Sequence, residues 1–332
     1  MAIDRKLNVY VENVTSVPEF FLFTPERFES VAKKFPDARK KIDVRIGYDE
    51  NGLEEGMKWA DVLIGWQFPT RNLAKRAPNL RWIYIIGAGV DHLLPLDWLP
   101  SNVILSNACG SHRPSVDELM MAAVLALNNR FLEMMTQQRK KVFRMVHSSI
   151  IKGKTALMIG VGATGGAAAE MFKKLEMRTI GVRPSRKSHP AIDEMHGTED
   201  LHSVLPSADF VVLTAPKTKA NMGLLGRREL ELFKKGACLI NLGRLGLVDD
   251  NALIDLLETG HIGGVIYDLE DPHDVPFDER LWSAPNLMII PHCGSNDPNL
   301  YTTNSLRIFF ENLERYIAGK ELENLIDRRT EY

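Results

Sequence analysis

Gly160, Gly162 and Gly165 are spaced Gly-x-Gly-x-x-Gly, a pattern that can hold a phosphate against bare backbone. An apolar run, Thr155–Ile159, comes directly before them and a helical pattern, Gly166–Leu175, directly after. Strand, glycine turn and helix in that order imply a dinucleotide site. Gly160 permits the tight turn, Gly162 lets backbone approach a pyrophosphate, and Gly165 lets helix and strand pack closely. Ala163 and Thr164 complete the turn, where free N–H groups and the positive end of the helix face the phosphates. The next apolar strand, Arg178–Val182, should end in the residue that reads the adenosine ribose. An acid there would select NAD. Arg183 stands there instead, followed by Ser185, Arg186 and Lys187, with no acid before Asp193. A guanidinium forks onto phosphate, so NADP is the expected cofactor, and NAD remains the alternative if the basic loop is only a solvated surface.

Such a loop needs a sheet to hold it. Leu7–Val11, Val44–Gly47, Asp61–Gly65, Leu80–Ile86 and Val103–Ser106 read as strands, with helical composition at Pro25–Lys34 and Pro69–Ala77. This is βαβ rhythm and predicts a parallel sheet. The chain changes character from Ser115 to Val146: Val116–Leu127 has no Gly or Pro and many helix formers, and reads as a long, buried helix with Ser115 as its N-cap. Thr155–Ile159, Arg178–Val182, Phe210–Thr214, Ala237–Leu242, Gly264–Tyr267 and Leu287–Ile290 then read as six strands of a doubly wound fold, most separated by helical segments near 165–175, 199–206, 227–233 and 249–259. Asn299–Ala318 reads as an amphipathic helix closed by Gly319.

Bulk numbers narrow the function. The 332 residues are too many for one core, and a formal charge of −2 gives no electrostatic case for nucleic acid or an anionic membrane. Cys109, Cys238 and Cys293 are odd in number and far apart, so neither a disulfide framework nor a metal site is expected. With no signal-like start and no membrane-length apolar run, a cytoplasmic location is expected.

Further segments carry a likeness. Asn241-Leu242-Gly243-Arg244-Leu245-Gly246-Leu247-Val248-Asp249, Pro291-His292 and the loop Gly160–Gly165 together resemble the D-isomer-specific 2-hydroxyacid dehydrogenase family. The resemblance covers most of the chain and implies hydride exchange between a nicotinamide and a 2-oxo or D-2-hydroxy acid. It implies that Arg244 clamps the substrate, that His292 is the general acid/base, and that Leu242 and Gly243 line the cofactor. Chemistry agrees, since the reaction needs a cation on the carboxylate and carbonyl and a proton donor with a pKa near working pH. Arg244 and His292 each follow an apolar strand, where such sheets bind ligands. Gly87-Ala88-Gly89-Val90-Asp91 resembles the family loop whose amides receive the carboxylate, so Ala88, Gly89 and Val90 are substrate candidates. Asp268 resembles the aspartate that contacts the nicotinamide carboxamide, and Ala215-Pro216 the loop beside the nicotinamide ribose. The implied fold is two doubly wound parallel-sheet α/β domains, a Rossmann-type cofactor domain (111–295) inserted in a flavodoxin-like substrate domain (1–110 and 296–332). A homodimer is implied, with the Met-rich helix 116–135 as a candidate contact.

The pattern breaks at one place. The family sets a glutamate against its catalytic histidine, fixing the tautomer and raising the pKa. Aligned without gaps on Asp268, Pro276 and Trp282, that position holds His273. Either His273 partners His292, or a rearranged loop supplies Glu270 or Asp271. Two other readings compete: a nucleotide-sensing regulator that has lost catalysis, and a reductase of another carbonyl compound.

Overall fold

The apolar runs become strands of two separate parallel sheets in a computed structural model that describes residues 5–269 and 279–330. The chain divides into unit 1, Met1–His112 with Asn296–Tyr332, and unit 2, Arg113–Ser295.

In unit 1, β1 (Leu7–Asn13), β2 (Ile42–Tyr48), β3 (Val62–Gly65), β4 (Trp82–Ile85) and β5 (Ile104–Asn107) pair in the order β2-β1-β3-β4-β5, all parallel. That is the flavodoxin-like order. Alternation sends Val9, Ile64, Trp82 and Tyr84 into one core and Tyr10, Leu63, Ile83 and Ile85 into the other. Helix Tyr301–Ile317 lays Leu306, Phe309, Phe310 and Leu313 on the first of these cores, with Phe309 stacked on Trp82 at 5.2 Å. This packing places the C-terminal segment in unit 1.

In unit 2, β6 (Thr155–Ile159), β7 (Arg178–Val182), β8 (Glu194–His196), β9 (Phe210–Leu213), β10 (Cys238–Asn241), β11 (Gly264–Asp268) and β12 (Leu287–Ile290) run parallel in the order β12-β11-β10-β9-β6-β7-β8. The doubly wound dinucleotide order is present with one strand more than the six expected, because β8 is a three-residue edge strand with no apolar run.

Two helical expectations are corrected. Val116–Leu127 is helical as expected, within Arg113–Asn128, but the extent 116–135 is interrupted: a second helix, Phe131–Arg139, starts after a break at Asn129 and Arg130. Arg130, with φ 57°, turns left-handed between them and ends the first helix. Ser115 is not an N-cap but lies within the first turn, because the helix starts at Arg113, which pairs with Asp117 and Glu170. The first of the two helices is buried through Val116, Met120, Ala123, Val124 and Leu127. Gly319 closes the last helix with φ 66°.

Candidate active site

Unit 2 carries the glycine loop at the carboxyl end of β6, next to β9. The helix after the loop begins at Ala163, three residues earlier than its apolar pattern suggested, with Gly162 as N-cap. A Cβ on Gly165 would lie 2.0 Å from the Gly160 carbonyl oxygen, and one on Gly160 would lie 2.7 Å from the Ala215 nitrogen. Both positions therefore need glycine, and Gly160 also holds φ 95°. Thr214 Oγ1 donates to the Gly160 carbonyl at 2.8 Å, which ties Ala215 and Pro216 beside the loop. Gly162 and Ala163 are exposed, Thr164 half-buried, and the first turn has no acidic residue and no side-chain cap. Its N–H groups and positive end suit a dinucleotide pyrophosphate.

Arg183 ends β7. Its Nη1 donates to the Val161 carbonyl at 2.7 Å and its Nε to the Lys187 carbonyl at 2.8 Å. Among the described residues no carboxylate pairs with it, so its charge stays available beside the loop. Arg186, in contrast, is bound to Glu199 and Asp200. Ser185 is exposed between the two arginines.

Three neighbouring strands bring up the remaining candidates. Asn241, fully buried at the end of β10, accepts the Gly243 N–H on its Oδ1 at 2.9 Å and so turns Leu242, Gly243 and Arg244 out of the sheet. Arg244 is half-buried and donates from Nη1 to the Gly243 carbonyl at 3.3 Å. Asp268 is the buried last residue of β11. His292 follows β12 and is exposed; its N–H reaches back to the Ile290 carbonyl at 2.9 Å, with φ 47°. Arg183, Gly160, Ala215, Gly243, Asp268 and His292 thus stand at the ends of six adjacent strands. At one strand spacing each, that row spans about 24 Å. His273, with Glu270, Asp271 and Asp274, lies outside the described residues.

In unit 1, the loop Ala88-Gly89-Val90 follows β4. The Gly87 carbonyl accepts from the Ala108 N–H at 3.0 Å and the Ala88 carbonyl from Asn107 Nδ2 at 2.5 Å. The amides of Ala88, Gly89 and Val90 make no bond within the described chain. A loop with its carbonyls engaged and its amides open is an anion receiver. Sequence reasoning missed Thr214, and Asn107 as the residue that holds this loop; an Asn ending a strand ahead of a small-residue turn is the signal that could have found the second.

No group of three or more His, Cys, Asp or Glu that could hold a metal ion occurs among the described residues, and no described helix is long and apolar enough to cross a membrane.

Residues 121–294 match the family model described as D-isomer specific 2-hydroxyacid dehydrogenase, NAD binding domain. The chain belongs to the D-isomer-specific 2-hydroxyacid dehydrogenase family. It is therefore assigned to a family of NAD(P)-dependent oxidoreductases and bears a Rossmann dinucleotide-binding domain. It is 29% identical to a glyoxylate reductase of Thermococcus litoralis over 78% of this chain and 80% of that one. It is 28% identical to a D-3-phosphoglycerate dehydrogenase of Methanocaldococcus jannaschii over 86% of this chain, which spans 55% of that enzyme. A crystal structure of a D-isomer specific 2-hydroxyacid dehydrogenase from Xanthobacter autotrophicus Py2, in complex with NADPH and MES, has the same fold, with a TM-score of 0.81, 24% identity, and coverage of 99% of this chain and 100% of that one.

Proposed function

We propose that this chain reduces a 2-oxo acid to a D-2-hydroxy acid, or catalyses the reverse, with NADP preferred over NAD. The observation that carries the reading is the row of strand ends in unit 2, where the glycine loop, Arg244, Asp268 and His292 share one edge of one sheet. A bound nicotinamide supplies or takes the hydride. Arg244 holds the carboxylate and polarises the carbonyl; being planar and permanently charged, it favours the oxyanion that develops there. His292 gives its ring proton to that oxygen in reduction and takes it back in oxidation. By the family resemblance Ala88, Gly89 and Val90 are also substrate candidates, with open amides suited to an anion. Asp268, with Leu242 and Gly243, faces the nicotinamide, and Arg183 faces the 2′-phosphate. The acid/base partner of His292 is His273 or one of the neighbouring acids, Glu270 and Asp271.

The test is a panel of 2-oxo acids with NADPH and NADH, followed by loss of nicotinamide absorbance, with His292→Gln beside the parent. Turnover with the parent and a kcat about 10²–10⁴-fold lower in the variant is expected. Dinucleotide binding with no turnover of any acid favours the sensing regulator instead. A His292→Gln variant as fast as the parent removes His292 from the mechanism.

A further inference from the structure

We infer that the substrate carries a branched-alkyl or aryl side chain, met by aromatic groups at the carboxyl end of the unit 1 sheet. The inference rests on the proposed reduction of a 2-oxo acid and names its substrate class.

In a sheet of this order, ligands bind outside the carboxyl ends of the strands, at the switch between β1 and β3. Trp66 follows β3 directly. Its indole stacks on the His92 ring, with centroids 3.9 Å apart and planes at 24°, and its carbonyl lies 2.7 Å from His92 Nε2. The six-membered ring of Trp66 also abuts the loop at Gly87, where a Cβ would come 2.5 Å from Cζ3. An alanine at Gly87 would therefore push the indole away.

A second aromatic group is tied to the same loop through another element. Tyr301 opens helix Tyr301–Ile317 and meets Phe21 edge-on at 4.6 Å. Thr302, the next residue, donates from Oγ1 to the Phe20 carbonyl. One turn on, Ser305 Oγ donates to the Ile86 carbonyl at 2.8 Å, immediately before Gly87. Burial pushes the Tyr301 phenol up to about 12, so it stays neutral at any working pH.

Charge points the same way. Residues 14–24, 66–70 and 86–90 contain no lysine or arginine; Arg71, just past the second segment, is exposed, and Arg27, which reaches the first, is engaged by the Glu19 and Leu22 carbonyls and the Glu19 carboxylate. A phosphate or a second carboxylate on the substrate would call for such a cation. Tyr301 is already buried and backs the loop, so the open aromatic surface is that of half-buried Trp66; glyoxylate would leave it uncovered, whereas an alkyl or aryl group would bury it.

The experiment measures kcat/KM of the full chain, with its better cofactor, for glyoxylate, phosphohydroxypyruvate, ketoisocaproate and phenylpyruvate. Ketoisocaproate or phenylpyruvate is expected to exceed glyoxylate by roughly 100-fold, at about 10-fold or more per well-seated methylene. Trp66→Ala should cut that ratio by roughly 10–100-fold, and Trp66→Phe should recover most of it. Should Trp66→Ala not fold, Phe21→Ala reports the same ratio. Preference for glyoxylate or phosphohydroxypyruvate, or a ratio unmoved by these variants, overturns the inference and leaves the reductase reading standing. Failure of every acid with both cofactors removes the reductase reading, and the inference with it.

Discussion

Arg183 is fixed by backbone, not by acid: its guanidinium reaches the carbonyls of Val161 and Lys187, while Arg186 nearby is taken up by Glu199 and Asp200. Two roles for Arg183 can therefore be separated by measurement. If it only braces the glycine loop, Arg183→Ala weakens NADPH and NADH alike. If it also holds the 2′-phosphate, NADPH loses a charge-assisted bond that NADH never had, worth about 1.5–3 kcal/mol, or roughly 10–150-fold. We expect the NADPH/NADH ratio of kcat/KM to fall by that factor, and an unchanged ratio would leave only the brace. The positions of Arg244, Asp268 and His292 at strand ends were legible because each comes at the end of an apolar run. Thr214 was not, because its role is a single bond to the Gly160 carbonyl across 54 residues, and no spacing announces such a contact.

At the scale of elements, strands buried on both faces announce themselves as apolar runs, and so β1, β3, β4, β6, β7, β9, β10 and β11 were readable; β12, half-buried at the sheet edge, was readable because its residues are still all apolar. β8 was not, since Glu194, Met195 and His196 are only partly covered at the sheet edge. Helix formers on both sides of Arg130 hid the break there, which a left-handed residue decides and propensity cannot see. Helix Leu53–Trp59 also went unread, because it contains Gly56. Alanine there should gain about 1 kcal/mol in helix propensity. Tertiary contact overrides this: a Cβ on Gly56 would lie 2.3 Å from the ring of Tyr10, which is 3% exposed and held through its hydroxyl to Glu12 at 3.1 Å. Overpacking of this kind costs about 1–3 kcal/mol. Gly56→Ala is therefore expected to lose up to about 2 kcal/mol in urea unfolding; a gain in stability would show that the Tyr10 ring yields freely.

At the scale of the whole molecule, the α/β class with two parallel sheets was legible from rhythm alone, but what covers the outside of unit 2 was not. Helix Arg113–Asn128 turns its apolar residues inward, whereas the stretch after it does the opposite. Phe143 is 100% exposed, Met145 77% and Ile150 78%, and Phe131, Met134 and Met135 are exposed nearby. Polar bonds hold the backbone of this stretch in place, Arg144 to Glu133 at 2.6 Å and Asn128 Nδ2 to the Ser149 carbonyl at 3.1 Å, so the apolar side chains are presented outward on an anchored segment. It also walls a hollow of about 710 Å³ with Phe210 and Ala237 at the amino end of the unit 2 sheet. Exposed large apolar side chains on one stretch of twenty residues suit an interaction site, and a two-fold contact between identical copies would cover projection and hollow on both at once. We therefore expect a homodimer built on residues 131–150, which keeps the exposed end of the candidate segment 116–135 and extends it to Ile150. Phe143→Asp with Met145→Asp removes four large apolar side chains per dimer, about 6–12 kcal/mol of burial at 1.5–3 each. Light scattering across a concentration series should then give a dimer for the parent and a monomer for the double variant, with unit 2 still folded by its dinucleotide binding. A parent that is monomeric at every concentration, or a double variant that remains dimeric, would put the interface elsewhere or remove it.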